Sequence, residues 1–318
     1  MVISYIIALA VFPLIALSAF FHKYDEGSFD KDFFAKRQTT TLKGIMICIV
    51  FFHHFSHKVV NIDWIEYAYR NAQYTIGVFF LLAGYTTCLR YKKTDQVDLK
   101  RLWIDRCWRL YLPIIILTLL FNSFMSALLF FFAYTDIIFA KIKSDKARIV
   151  ALLIGNVFFI VACKMVGMQD YWYDDVFTYW IGAVIAFYKR DITNCLVGDK
   201  PKYWSLFITL TIVFVSSYYF AFHWWHYDFS TMIMSTSGAL IIFLTMMKVD
   251  IRNHFFEFIG KYTFEIFMCH QMIIVVMYKL LKQSDLALIS SILATIVTSV
   301  LIQRVMLVLK EKVSVKKV

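Results

Sequence analysis

The stretch KGIMICIVFFHHFSH, residues 43 to 57, sets a lysine at one end of an apolar run and three histidines at the other. Lys43 and His54 are separated by almost three turns of an unbroken helix, so their side chains share a face, about 16 Å apart along the axis. His57 stays near that face, whereas His53 points roughly 80° away from it. A neutral imidazole has its reference pKa near physiological pH, so it suits either taking a proton from a hydroxyl or attacking an acyl carbon. Ionisable side chains inside hydrocarbon are costly enough to point to function. The competing reading, histidines sitting at an outer membrane interface, stays open for all three. With no carboxylate or cysteine nearby, positions 53, 54 and 57 offer one well-placed pair, and no metal site is expected.

Further candidates lie downstream. Arg106 and Arg109 sit three residues apart at the start of an apolar run, would face the same direction, and suit forked binding of phosphates. They are equally consistent with basic anchors at the inner face of a membrane. His270 falls within a late apolar run. Glu265 precedes it by five residues, about 140° around a helix, so the two are not expected to pair. The alternative for His270 is a packed histidine bonded to a neighbouring helix. Asp174 and Asp175, among Trp172, Tyr173 and Trp180, suit either a sugar-binding mouth or a solvated loop.

The elements that carry these residues must be membrane helices. With 60% hydrophobic and 17% charged residues and a mean hydropathy of +0.65, the chain does not describe a soluble domain. Its apolar runs are longer than barrel strands and lack in-out alternation. The expected fold is an all-α polytopic transmembrane bundle, with the lipid bilayer as its solvent.

The net charge of +11 comes from short Lys/Arg clusters between apolar runs, which marks cytoplasmic loops and argues against nucleic acid as a partner. Basic loops such as RYKKTDQVDLKRLWIDRCWR, KIKSDKAR and KVDIRNHFFEFIGK alternate with the neutral KVVNIDWIEYAYRNA and the acidic or aromatic GMQDYWYDD and HWWHYD. The alternation holds only if the long run from Leu110 to Ala140 is split near Asn122 and Ser123. That split gives about eleven spans, with the N-terminus outside and the C-terminus inside.

The first run, residues 1–21, has no basic residue before it and no small-residue cleavage site after it, and is expected to remain as an extra N-terminal span. The six cysteines show no C-x-x-C pairing. A transporter or flippase for a glycolipid or small solute is the rival to enzyme chemistry. The lack of an internal repeat and the scarcity of mid-span carboxylates weigh against it.

Four stretches, in order, resemble the integral-membrane acyltransferase-3 family: LKGIMICIVFFHHF with its basic residue, ten intervening residues and histidine; GVFFLLAGYTT (77 to 87); DRCWRLYLP (105 to 113); and FIGKYTFEIFMCH (258 to 270). The resemblance spans about residues 40–308 within a single domain covering 1–318. Ala83 stands where the family often has serine, and Lys43 where arginine is commoner. No soluble extracytoplasmic domain of the kind some members carry is expected.

The resemblance implies an O-acetyltransferase of a bacterial inner or plasma membrane, with cytoplasmic acetyl-CoA as the acyl donor and no permanently bound cofactor. The acceptor would be a hydroxyl of a cell-surface polysaccharide or lipid-linked sugar. His54 would be the catalytic group, as general base or acyl-carrying nucleophile. Lys43, Arg106 and Arg109 would meet the coenzyme phosphates, with His270 and His53 as secondary candidates.

Overall fold

A computed structural model of the chain describes residues 2–20, 33–59, 63–69, 73–93, 125–197, 199–223 and 228–315. Among them the regular structure is helical: α1 Val2–Ser18, α2 Lys36–Lys58, α3 Asp63–Tyr69, α4 Gln73–Lys93, α5 Met125–Lys141, α6 Asp145–Met165, α7 Phe177–Val197, α8 Lys200–His223, α9 Asp228–Lys248, α10 His254–Lys261, α11 Thr263–Leu281 and α12 Ser284–Val315. Five of these, α6, α8, α9, α11 and α12, hold stretches long and apolar enough to cross a membrane. The chain is therefore an all-helical membrane protein, as its composition requires. The expected division near Asn122 and Ser123 falls outside the described residues.

The helix ends follow local chemistry. Ser144 caps α6 through its side chain, accepting from the Ala147 N–H, and Asp145 opens the first turn. Asn253 Oδ1 accepts from the Phe255 and Phe256 N–H groups at 3.0 and 3.2 Å, starting α10. α11 closes at Lys282, which adopts the left-handed conformation (φ 52°) and donates its N–H to the Tyr278 carbonyl.

Inside α1, residues Ile7–Val11 widen into a π turn immediately ahead of Pro13. The proline lacks an N–H and its ring crowds the carbonyl one turn back, which accounts for the local widening. The Tyr69 hydroxyl donates to the Ala8 carbonyl at 2.5 Å and so satisfies an acceptor in that segment.

The chain forms two compact units, Met1–Thr75 with Thr245–Val318, and Ile76–Leu244. In the first, α2 packs on α10 and α11, α11 packs on α12, and α1 lies beside α12. Hydrophobicity does not drive helices together in lipid, so close backbone approach must do much of the work. Two glycines permit it: a Cβ on Gly44 would overlap the Phe256 carbonyl, and one on Gly260 would overlap the carbonyl of Thr40. Phe12 adds an aromatic anchor for α1, with Phe52 at 5.2 Å and Phe256 edge-on at 5.9 Å.

The second unit repeats the device. A Cβ on Gly84 would strike the Tyr179 carbonyl and one on Gly182 the Leu81 carbonyl, which fixes α4 against α7. Tyr179 is fully buried, bonded to the Thr135 hydroxyl at 2.8 Å and stacked on Phe131. α7 breaks its helical geometry at Tyr188, and Lys92 Nζ donates to the neighbouring Phe187 carbonyl at 2.8 Å.

Candidate active site

His54 lies on the last turns of α2, where the apolar face of Ile47, Val50, Phe51 and Phe55 holds the helix in the core of the first unit. α11 crosses that face, held by its contacts with α2 and by the Gly44 and Gly260 approach one element earlier. His270 of α11 is thereby brought against His54, with ring centroids 5.1 Å apart. The sequence alone treats these as separate candidates; the fold makes them neighbours.

The protonation geometry of the pair is informative. His270 is fully buried, and its Nδ1 lies 2.9 Å from the Ile266 carbonyl. A carbonyl only accepts, so Nδ1 carries the hydrogen and Nε2 presents its lone pair. That Nε2 is buried with no hydrogen-bond partner among the described residues, an arrangement that costs stability unless something donates to it. Phe51 and Phe267 flank the ring, at 6.4 and 5.6 Å between centroids.

His54 is half-buried, and its Nε2 accepts from the Gln271 amide at 3.0 Å. Gln271 escaped sequence reasoning; its only signal was adjacency to His270. His53 is directed elsewhere, its Nδ1 donating to the Tyr69 carbonyl at 2.8 Å, although its ring remains 5.1 Å from His54 and 4.5 Å from the exposed His57. Burial pushes the Tyr69 hydroxyl well above the usual phenol range, so it stays a neutral donor to Ala8. Among the described residues no cluster of histidine, cysteine or carboxylate side chains is arranged to hold a metal ion.

Lys43 is half-buried on α2 and has no counter-ion among the described residues. Its neighbourhood is nevertheless organised: one turn earlier, Gln38 Nε2 donates to Asp250 Oδ1 at 2.9 Å, and Arg37 and Arg252 both pair with the same buried carboxylate. This knot anchors the first turn of α2. Its members are remote in sequence and gave no local signal. Arg106 and Arg109 lie outside the described residues.

Glu265 does not pair with His270; its carboxylate accepts from Gln303 at 3.5 Å. Asp174 and Asp175 are buried, at 1% and 3% exposure, so the solvated-loop reading fails. Asp174 accepts from the Thr231 hydroxyl at 2.9 Å and Asp175 from that of Ser235, which ties the connection before α7 to α9 within the second unit. Burial raises the Asp175 carboxyl well above the usual range, the adjacent Asp174 pushes it further, and the Ser235 hydrogen bond offsets part of the rise.

A family model described as an acyltransferase domain matches residues 40–142 and 124–304. The chain belongs to the acyltransferase-3 family. Comparison with curated proteins and with solved structures gave no match. As a membrane acyltransferase the protein must bring an acyl donor and a nucleophilic acceptor to a group that handles a proton. The matched region contains His54 and His270 alike. In this acyltransferase the first and last of the four motifs are folded onto one another, through Gly44, Gly260 and the histidine pair.

Proposed function

We propose that this acyltransferase moves an acetyl group from cytoplasmic acetyl-CoA to a hydroxyl of a cell-surface polysaccharide or lipid-linked sugar, in a bacterial inner or plasma membrane. The chain would cross that membrane about eleven times, N-terminus outside and C-terminus inside, with Lys43 near the cytoplasmic margin and the histidines deeper.

The observation that carries the reading is the buried, unpartnered Nε2 of His270 beside the half-buried ring of His54. An acceptor hydroxyl donating to that lone pair would satisfy it. As the hydroxyl oxygen attacks the thioester carbon, the O–H proton passes to the imidazole and the C–O bond forms. The C–S bond breaks and its electron pair leaves on sulfur as the coenzyme thiolate, which is then protonated to the thiol. His54, whose Nε2 accepts from Gln271 in this geometry, would serve as base or acyl-carrying nucleophile once that amide turns aside. The charge on the coenzyme phosphates calls for cations. Lys43, unpaired among the described residues, is suited to that role. Arg106 and Arg109 keep the same role on the strength of their spacing and the family resemblance.

The test uses membranes bearing the wild-type chain or the His54→Ala variant, supplied with acetyl-CoA labelled on its acetyl group and the host's extracted glycolipids and polysaccharide. Base-labile label in the glycan fraction with wild type, lost in the variant at equal membrane abundance, is expected. Label that persists in the variant removes His54 from the chemistry, and label absent with both overturns the acetyl-transfer reading.

A further inference from the structure

Beside the histidine pair, the first unit contains a cavity of about 150 Å³. Ile7, Val11, Phe12 and Ile15 of α1 form one wall, and Ile47, Cys48, Phe51 and Phe52 of α2 form another. Phe255, Phe256 and Ile259 of α10, Ile266 of α11, and Ile292, Thr295 and Ile296 of α12 complete it. A cavity of this size lined by such side chains stays dry and takes an apolar guest.

Two features define that guest. First, Val11, Ile15 and Phe255 are 41%, 37% and 49% exposed, so the cavity opens through apolar side chains, the kind of surface that faces lipid tails rather than water. Second, two of its lining residues connect it to the histidine pair: Phe51 lies against the His270 ring, and the Ile266 carbonyl fixes the His270 tautomer. On α2, Ile47 and His54 are seven residues apart, which puts them within about 20° of the same face and about 10 Å apart along the axis. The guest is thus a hydrocarbon chain.

We propose that this cavity seats part of a hydrocarbon chain of the acceptor, and therefore that the acceptor is a lipid-anchored glycan rather than a free polysaccharide. This rests on the acetyl-transfer reading for its meaning but not for its detection. The chain enters laterally from the bilayer past α1, runs along the Ile47 to Phe51 face of α2, and leaves the sugar at the histidines. The N-terminal helix acquires a function by this account: it forms the wall that makes a groove on α2 into a seat.

The test is photocrosslinking on the full-length protein in lipid nanodiscs, with decyl maltoside carrying a diazirine at its chain end, mapped by mass spectrometry. The expected result is label on peptides containing Ile47, Phe51, Ile292 or Ile296. It should be competed at least fivefold by the host's extracted glycolipids and lost in Ile296→Trp, which fills the cavity, and in Val11→Trp, which closes its exposed mouth. Val11 lies at the surface, so that variant tests the site even where Ile296→Trp fails to fold. Equal competition by the host's phospholipids would make the cavity a seat for bulk lipid, competition by octanoyl-CoA alone would assign it to a donor chain, and label scattered over the bilayer-facing helices would show no seat; each of these overturns the proposal. Because labelling needs no acetyl-CoA, it stands or falls separately from acetyl transfer. Where transfer is measured, Val11→Trp is expected to raise KM for the glycolipid acceptor about fivefold with kcat unchanged.

Discussion

The imidazoles of His54 and His270 lie 5.1 Å apart between ring centroids, with the His270 Nε2 lone pair buried and unpartnered among the described residues. Each histidine comes from a different family motif, at nearly opposite ends of the chain. A common role in the same proton transfer predicts that the two act as a unit. His54→Ala and His270→Ala are each expected to lower kcat by about 10²- to 10⁴-fold, the usual worth of a positioned base. The double variant should lose little more than the worse single one. Steady-state rates on labelled acetyl-CoA, at matched membrane abundance, check this; multiplicative losses would mean independent roles.

Lys43 predicts a different kinetic signature. A charge-assisted contact to a phosphate is worth about 1.5–3 kcal/mol, so Lys43→Gln should raise KM for acetyl-CoA by roughly 10- to 100-fold. The change in kcat should be small, and Lys43→Arg should restore most of the loss, since charge rather than shape is what the phosphates need. A Lys43→Gln enzyme with unchanged donor KM would assign the lysine to membrane anchoring.

The approach of α2 and α10 should be intolerant of a single methyl group. Gly44→Ala and Gly260→Ala each place a Cβ onto a backbone carbonyl, that of Phe256 or Thr40, which cannot swing aside as a flexible side chain could. Overpacking of this kind costs about 1–3 kcal/mol, read as a lowered midpoint of thermal unfolding in detergent. Loss of activity should accompany it, because this approach helps to hold α11 and His270 against His54. Wild-type stability in both variants would show that the helices can part without consequence.

Asp175 should make stability depend on pH. Its carboxyl is raised in the folded protein by burial and by Asp174, so over the interval between the ordinary carboxylate value and the raised one the folded chain binds more protons than the unfolded chain. Stability then falls as pH rises through that interval, the reverse of a salt-bridged carboxylate. Thermal midpoints should decline in the wild type as pH rises above the ordinary carboxylate range and flatten in Asp175→Asn, which keeps an acceptor for Ser235 without the charge. An unchanged slope would locate the effect elsewhere.

The sequence made the class of structure and the main candidates legible for a physical reason: both are local. Apolar runs long enough to cross a bilayer, basic clusters between them, and the spacing of Lys43 and His54 on one helical face need no knowledge of distant contacts. Asp174 and Asp175 show the limit. Acidic residues among aromatics suggest a solvated loop, yet hydroxyls of Thr231 and Ser235, more than fifty residues on, allow both carboxyls to be buried. Gln271 and the Asp250 knot were illegible for the same reason, since each acts on a partner far along the chain.

By itself the sequence determined that this is a helical membrane protein and that its first core helix carries an ammonium and an imidazole on one face. Only the tertiary structure decided which imidazole meets which. Side-chain periodicity sets direction around one helix axis, but the distance between two axes depends on where backbones can touch. Here Gly44 and Gly260 set that approach, and with it the pairing of His54 with His270 and the cavity beside them.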